Sequence, residues 1–152
     1  MTYKNPPTAK IYEALSVIAD GRIEYTGNNR AKVYSSDKSK FYTIAWSEDN
    51  LNFYSDDNAS KWQGYTGYPI IAILLDQKIL DAGSINTAIF SNINWNALNK
   101  QYKRDYSAAV DQVLGERLQN EMEARSTIES VKKIYADLCA MKLQKVSMKS
   151  LS

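Results

Sequence analysis

Residues 22–55 read Arg22-Ile-Glu-Tyr-Thr-Gly-Asn-Asn-Arg-Ala-Lys-Val-Tyr-Ser-Ser-Asp-Lys-Ser-Lys-Phe-Tyr-Thr-Ile-Ala-Trp-Ser-Glu-Asp-Asn-Leu-Asn-Phe-Tyr-Ser55. Four segments of this stretch alternate with the two-residue period of a strand. Arg22–Thr26 sets Ile23 and Tyr25 on one side, and Ala31–Ser35 separates Val33 from Lys32 and Tyr34. Phe41–Trp46 places Tyr42, Ile44 and Trp46 opposite Phe41, Thr43 and Ala45, and Leu51–Ser55 splits Leu51 and Phe53 from Asn52 and Tyr54. Turn formers stand between each pair: Gly27-Asn28-Asn29, Ser36-Asp37-Lys38-Ser39 and Glu48-Asp49-Asn50. Connections this short join only antiparallel neighbours. The stretch therefore predicts a four-stranded antiparallel meander with Ile23, Tyr25, Val33, Ile44, Trp46, Leu51 and Phe53 on its inner face.

Upstream, Ile11, Leu15 and Ile18 recur at helical spacing between a cap at Asn5 or Thr8 and a stop at Gly21. This helix is the candidate to cover the sheet. Downstream, residues 56–75 form a crossover from sheet to helices. Asp56, Asp57 and Asn58 supply caps and turns, Ala59 to Gln63 fits one helical turn, and Gly64 and Gly67 allow a bend. Pro69 then opens an apolar run to Leu80 that reads as a buried helix rather than a strand, because of its length and its leading proline. Ser84 is placed to cap a short helix holding Ile85, Ala88, Ile89 and Phe90.

Apolar residues then recur every three or four positions from Trp95 to Leu114, with Gly115 as the expected break. A second stripe, Leu118, Met122, Ile128, Val131, Tyr135 and Leu138, is interrupted at Arg125 and describes a long, narrow-striped amphipathic helix. The last segment, 141–152, carries three lysines without an acid and reads as a frayed tail.

The expected fold is thus α+β: an N-terminal helix, a four-stranded antiparallel β-meander, and C-terminal helices packed on the sheet, ending in a long amphipathic helix. Residues 1–115 form the core domain, to which the helix and basic tail of 116–152 are appended.

Composition narrows the chemistry. A chain of 152 residues suits one domain, and its net charge of +2 does not point to nucleic acid or an anionic membrane. No histidine is present, which removes the commonest general base and transition-metal ligand. The single cysteine, Cys139, allows neither an internal disulfide nor a cysteine zinc site. The N-terminus lacks the apolar core of a signal peptide, and the longest apolar run, Ile70 to Leu75, is far short of the roughly 20 residues of a membrane span. The expected location is the cytoplasm. Of 17 aromatic residues, twelve lie at or before Tyr68, a bias that suits a half-buried sheet first and a binding face second.

Three constellations are candidate sites. Trp62, Tyr65 and Tyr68 recur every three residues beside Asn58 and Gln63, a mixture suited to a flat ligand, a sugar or a base, and equally to a packed core with hydrogen-bonded polar tips. The second sheet face, with Lys32, Tyr34, Phe41, Thr43 and Tyr54, resembles the stacking platforms of single-stranded nucleic-acid binders, unless later helices cover it. Asp56 and Asp57 offer oxygen ligands for a divalent metal, with Glu48 and Asp49 nearby, although turn and cap chemistry accounts for them more simply. Gly64-Tyr65-Thr66-Gly67 has GxxG spelling but no internal Lys or Arg, and no G-x-S-x-G elbow exists.

These features point to a non-enzymatic binding or interaction module that needs no cofactor. Its expected partner is another protein or a second copy of the chain, engaged through residues 116–142. The alternatives are a single-stranded nucleic-acid binder and, behind it, a metal-assisted hydrolase.

Overall fold

The computed structural model describes residues 1–151 and has the expected α+β architecture. Helix α1 (Ala9–Asp20) ends at Gly21, which takes the left-handed conformation (φ 63°) that a residue without a side chain adopts at least cost. Strands β1 (Ile23–Gly27), β2 (Arg30–Tyr34), β3 (Phe41–Trp46) and β4 (Asn52–Ser55) form the antiparallel meander. Their register sets Val33 opposite Tyr42, Ala31 opposite Ile44, and Trp46 opposite Phe53. Ala31, Val33, Ile44, Trp46 and Phe53 are accordingly buried on one face.

Two residues assigned to that face stay outside the core. Tyr25 is 45% exposed because it lies on the edge strand, where it leans edge-on against Trp46 and donates from its hydroxyl to Asp76. Leu51 falls in the turn before β4 and is also exposed.

Helix α2 (Tyr68–Asp76), opened by Pro69 at its second position, buries every residue from Pro69 to Leu75. It packs on β3 and β4, and α1 packs on α2. A fully buried Ile or Leu contributes about 1.5–3 kcal/mol relative to exposure, so this run is the main anchor of the helical layer. Helix α1 is enclosed more completely than an amphipathic surface helix would be, since Ala9 to Val17 are all buried, including Lys10, Glu13 and Ser16. A short 3-10 turn (Thr87–Phe90), capped by Asn86 rather than Ser84, packs on α1, with Phe90 edge-on to Tyr12.

The helical run after Trp95 breaks earlier than Gly115. Helix α3 (Trp95–Gln101) and helix α4 (Tyr106–Arg117) are separated by a turn in which Lys103 (φ 51°) and Arg104 (φ 65°) are both left-handed. Asp105 stops the turn by capping α4, accepting from the Ala108 amide at 3.1 Å. Gly115 meets no neighbour and is simply accommodated within α4.

Helix α5 (Glu121–Met141) docks on α1 and buries Thr127, Val131, Ile134 and Leu138, one stripe at helical spacing. Tyr135 ties it to the N-terminal segment by donating to the Pro6 carbonyl at 2.8 Å, whereas Met122 near its start is exposed.

The segment after α5 is not a frayed tail. Strand β5 (Gln144–Lys145) adds to β4 in parallel and completes a five-stranded sheet. The N-terminus joins at the same edge: Tyr3 N donates to Leu143 O at 2.9 Å and Lys145 N to Met1 O at 2.6 Å. Buried Tyr3 also donates from its hydroxyl to Phe53 O at 2.9 Å. A final turn, Met148–Leu151, touches β3, and Arg30 reaches it. The basic residues and isolated polar character of this segment hide its role, because a two-residue strand leaves no hydrophobic period to read. Among the described residues no helix is long and apolar enough to cross a membrane.

Candidate ligand-binding site

The crossover after β4 is held by one buried carboxylate. Asp57 accepts from the Ser55 hydroxyl and, at 3.1 Å, from the Ser60 amide, while Ser60 in turn accepts from Gly67 N at 3.1 Å. These bonds wrap a π-helical turn (Ala59–Gln63) around Asp57 and bring Gly67 back beside it. Lys4 fixes the far side, donating to Gly64 O at 2.8 Å and accepting from Thr66 N at 3.2 Å.

The wrapped crossover walls a cavity of about 330 Å³. Four separate segments close it: the first turn of α1 with Lys10, the β2–β3 turn with Asp37 and Lys40, the crossover with Asn58, Gln63, Tyr65 and Tyr68, and the α3–α4 region with Asn99, Lys100, Arg104 and Tyr106. The volume lies at the lower end of the range for small-molecule sites.

Lys10 is the unusual wall residue. It is 7% exposed, and its ammonium lies 2.9 Å from Glu13, itself 4% exposed, and 4.0 Å from the centre of the Tyr106 ring. Lysine is almost never buried to this degree unless paired, and Glu13 provides the pairing. Its position in the first helical turn works against the helix dipole, which favours anions there.

The tyrosines form the second pole. Burial raises the Tyr65 hydroxyl well above the ordinary tyrosine range, with Tyr106 and Glu13 adding to the effect. Burial does the same to Tyr68, whose ring meets Tyr42 edge-on at 6.3 Å. Tyr65 shares a hydrogen bond with Tyr106, and Tyr65 and Tyr68 both line the cavity. Asp37 is held in its charged form by the hydroxyl and amide of Ser39, with Ser35 and Asn96 adding further bonds. The Asn99 Oδ1 atom is buried without a hydrogen-bond partner.

Four of the five residues proposed for ligand contact, Asn58, Gln63, Tyr65 and Tyr68, line this cavity. Trp62 does not: it is 75% exposed, with Lys61 5.2 Å from its ring centre. Asp56 and Asp57 are directed apart. Asp57 lies in the cavity wall with its oxygens engaged, and Asp56 accepts from Thr43 N at 2.9 Å. Among the described residues no group of three or more acids, cysteines or histidines could hold a metal ion.

On the outer sheet face Lys32 lies 4.5 Å over the Phe41 ring, and Tyr34 stands 5.8 Å from the same ring with its hydroxyl on Glu24. Tyr54 sits two strands from Lys32, opposite Ala45.

Lys10, Lys40, Asn99, Arg104 and Tyr106 escaped sequence reasoning. They come from three segments far apart in the chain, and Lys10 with Glu13 has the spacing of an ordinary solvated helix pair. The only local signal is the run of asparagines at 92, 94, 96 and 99.

Comparison with curated proteins and with solved structures gives no match. A family model described as "Uncharacterised conserved protein UCP014422" matches residues 3–144, a span that contains every residue of the cavity, and the chain belongs to that family.

Proposed function

We propose that the protein is a non-enzymatic binding module whose ligand is a small polar molecule held in the cavity between α1, the crossover and the α3–α4 turn. One observation supports this reading above the others: a buried lysine lines a polar cavity of about 330 Å³ beside Tyr65 and Tyr68. Polar groups brought together in a recess, rather than closed over by packing, are what a small-molecule site requires. The test is a melting-temperature screen against a panel of polar metabolites, since a ligand that binds only the folded state raises the melting temperature with concentration. Tyr65→Ala should abolish the shift, and Trp62→Ala, outside the cavity, should leave it intact. A hit insensitive to Tyr65→Ala would place binding elsewhere.

A second reading is single-stranded nucleic-acid binding through Lys32, Tyr34, Phe41 and Tyr54. It is favoured by the outer sheet face, where Phe41 keeps 47% of its surface in solvent beneath Lys32. It requires quenching of tyrosine fluorescence by oligonucleotides that weakens steeply with salt. No quenching at low salt removes it.

A further inference from the structure

The distribution of charge around the cavity says more about its occupant. The wall holds four cations, Lys10, Lys40, Lys100 and Arg104, against two acids, Asp37 and Asp57. Both acids already have partners within the fold: Asp37 is hydrogen-bonded by Ser35 and Ser39, and Asp57 by Ser55 and Ser60. Lys40, Lys100 and Arg104 make no ion pair among the described residues.

Lys10 has donors left over. An ammonium has three N–H groups, and the one acceptor bonded to Lys10 is Glu13. Glu13 balances its charge and the Tyr106 ring lies 4.0 Å away, so a ligand in the cavity would meet the N–H groups that Glu13 leaves. Arg104 is carried to the cavity wall by the left-handed turn between α3 and α4. Asn99, Tyr65 and Tyr68 line another part of the recess and bring amide and hydroxyl groups to it.

We propose that the ligand is a small organic phosphate, its phosphoryl group held by Lys10, Lys40, Lys100 and Arg104 and its organic part set against Asn99, Tyr65 and Tyr68. This rests on the cavity being the ligand site. A carboxylate has one charge and two oxygens, too little to engage four cations from three different elements. A phosphate monoester has up to two charges and three terminal oxygens, and matches them. The small volume limits the rest of the molecule to about one ring.

The test uses the full chain, with isothermal titration and melting temperature at matched ionic strength. The probes are inorganic pyrophosphate and ribose 5-phosphate, set against ribose and succinate. Lys100 and Arg104 are exposed, so Lys100→Ala and Arg104→Ala should fold normally. The expected result is binding of both phosphates, weakened about tenfold by either substitution, the usual effect of removing a charge-assisted hydrogen bond. Lys10→Met should weaken binding at least as much, and its far-UV circular dichroism shows whether it has folded. Succinate binding as tightly as the phosphates would overturn the phosphate assignment. Ribose binding as tightly as ribose 5-phosphate, unaffected by Arg104→Ala, would overturn it while leaving the cavity as a ligand site. No response to any of the four probes, with the unaltered protein also silent in a metabolite screen, would overturn both.

Discussion

Gly67 lies against the carboxylate of Asp57 so closely that a Cβ on the glycine would stand 2.7 Å from Asp57 Cγ and closer still to Oδ2. The Gly67 backbone is extended (φ −77°, ψ 163°), a conformation open to any residue, so the requirement for glycine here is purely steric. Gly67→Ala is therefore expected to destabilise the protein by about 1–3 kcal/mol, the cost of overpacking a fixed site. In an Asp57→Ala background the same change should cost much less, and a double-mutant cycle by urea denaturation measures the difference.

The Lys10–Glu13 pair makes a second, larger prediction. Both side chains are more than nine-tenths buried, so Glu13→Gln leaves an ammonium without its counter-charge. Removing one partner of such a pair costs about 3–5 kcal/mol, whereas replacing both by apolar residues of similar size is close to neutral. Glu13→Gln alone should therefore be clearly less stable than the Lys10→Met/Glu13→Leu double variant. Equal stability of the two would mean that the pair is solvated in solution.

High pH should unfold the protein through its tyrosines. Burial pushes Tyr12 up to about 12, with Asp111 adding to it, and burial together with the Asp76 hydrogen bond brings Tyr25 to about 12, against an ordinary value of 10.0. A group raised in the folded state leaves stability intact below the unfolded value and lowers it as pH climbs towards the folded one. Stability is thus expected to be level below pH 10 and to fall between pH 10 and 12. Tyrosinate absorbance and circular dichroism should change together in that interval. Ionisation of most of the eleven tyrosines ahead of unfolding would contradict this.

Removing residues 144–151 should destabilise the whole sheet rather than trim a loose end. The backbone bonds lost with the segment include three outside the ladder: Gln144 N to Leu51 O, Lys145 N to Met1 O and Val146 N to Phe53 O. At about 1 kcal/mol each the loss is on the order of 3 kcal/mol, read as a lower denaturation midpoint and faster proteolysis near β4.

The three tryptophans offer a direct check on the packing. Trp46 and Trp95 are buried and Trp62 is 75% exposed, so iodide should quench one component of the emission and leave a protected remainder. Trp62→Ala should remove the quenchable part at a cost within about 0.5 kcal/mol.

The meander was legible because period-two alternation and turn chemistry agree along residues 22–55, and β3 has the same limits in both readings. Pro69 and the apolar run after it marked the start of α2 in the same way, although the helix ends at Asp76 rather than running on to Leu80. What stayed hidden is set by tertiary contact. Two residues of β5 contain no period, and the break at Lys103–Arg104 comes in residues with no turn propensity of their own. The cavity was half visible. Its crossover wall lies within one stretch of twelve residues, Asp57 to Tyr68, but Lys10, Lys40 and Arg104 reach it only through the packing of α1, the β2–β3 turn and the α3–α4 turn.

The pairing of Met1 and Tyr3 with residues 143–145 also sets a schedule for folding during synthesis. Strand β4 leaves the ribosome about 90 residues before the strand that closes its edge, an interval of roughly 5–20 s at ordinary elongation rates. For that time the nascent meander presents a bare edge with unpaired amides and carbonyls, the surface on which other chains add. Met1 and Tyr3 wait longer, since Lys145 and Leu143 follow them by about 140 residues. Closure of the β4 edge therefore waits for residues 143–146, and until they arrive that edge is open to pairing with other chains.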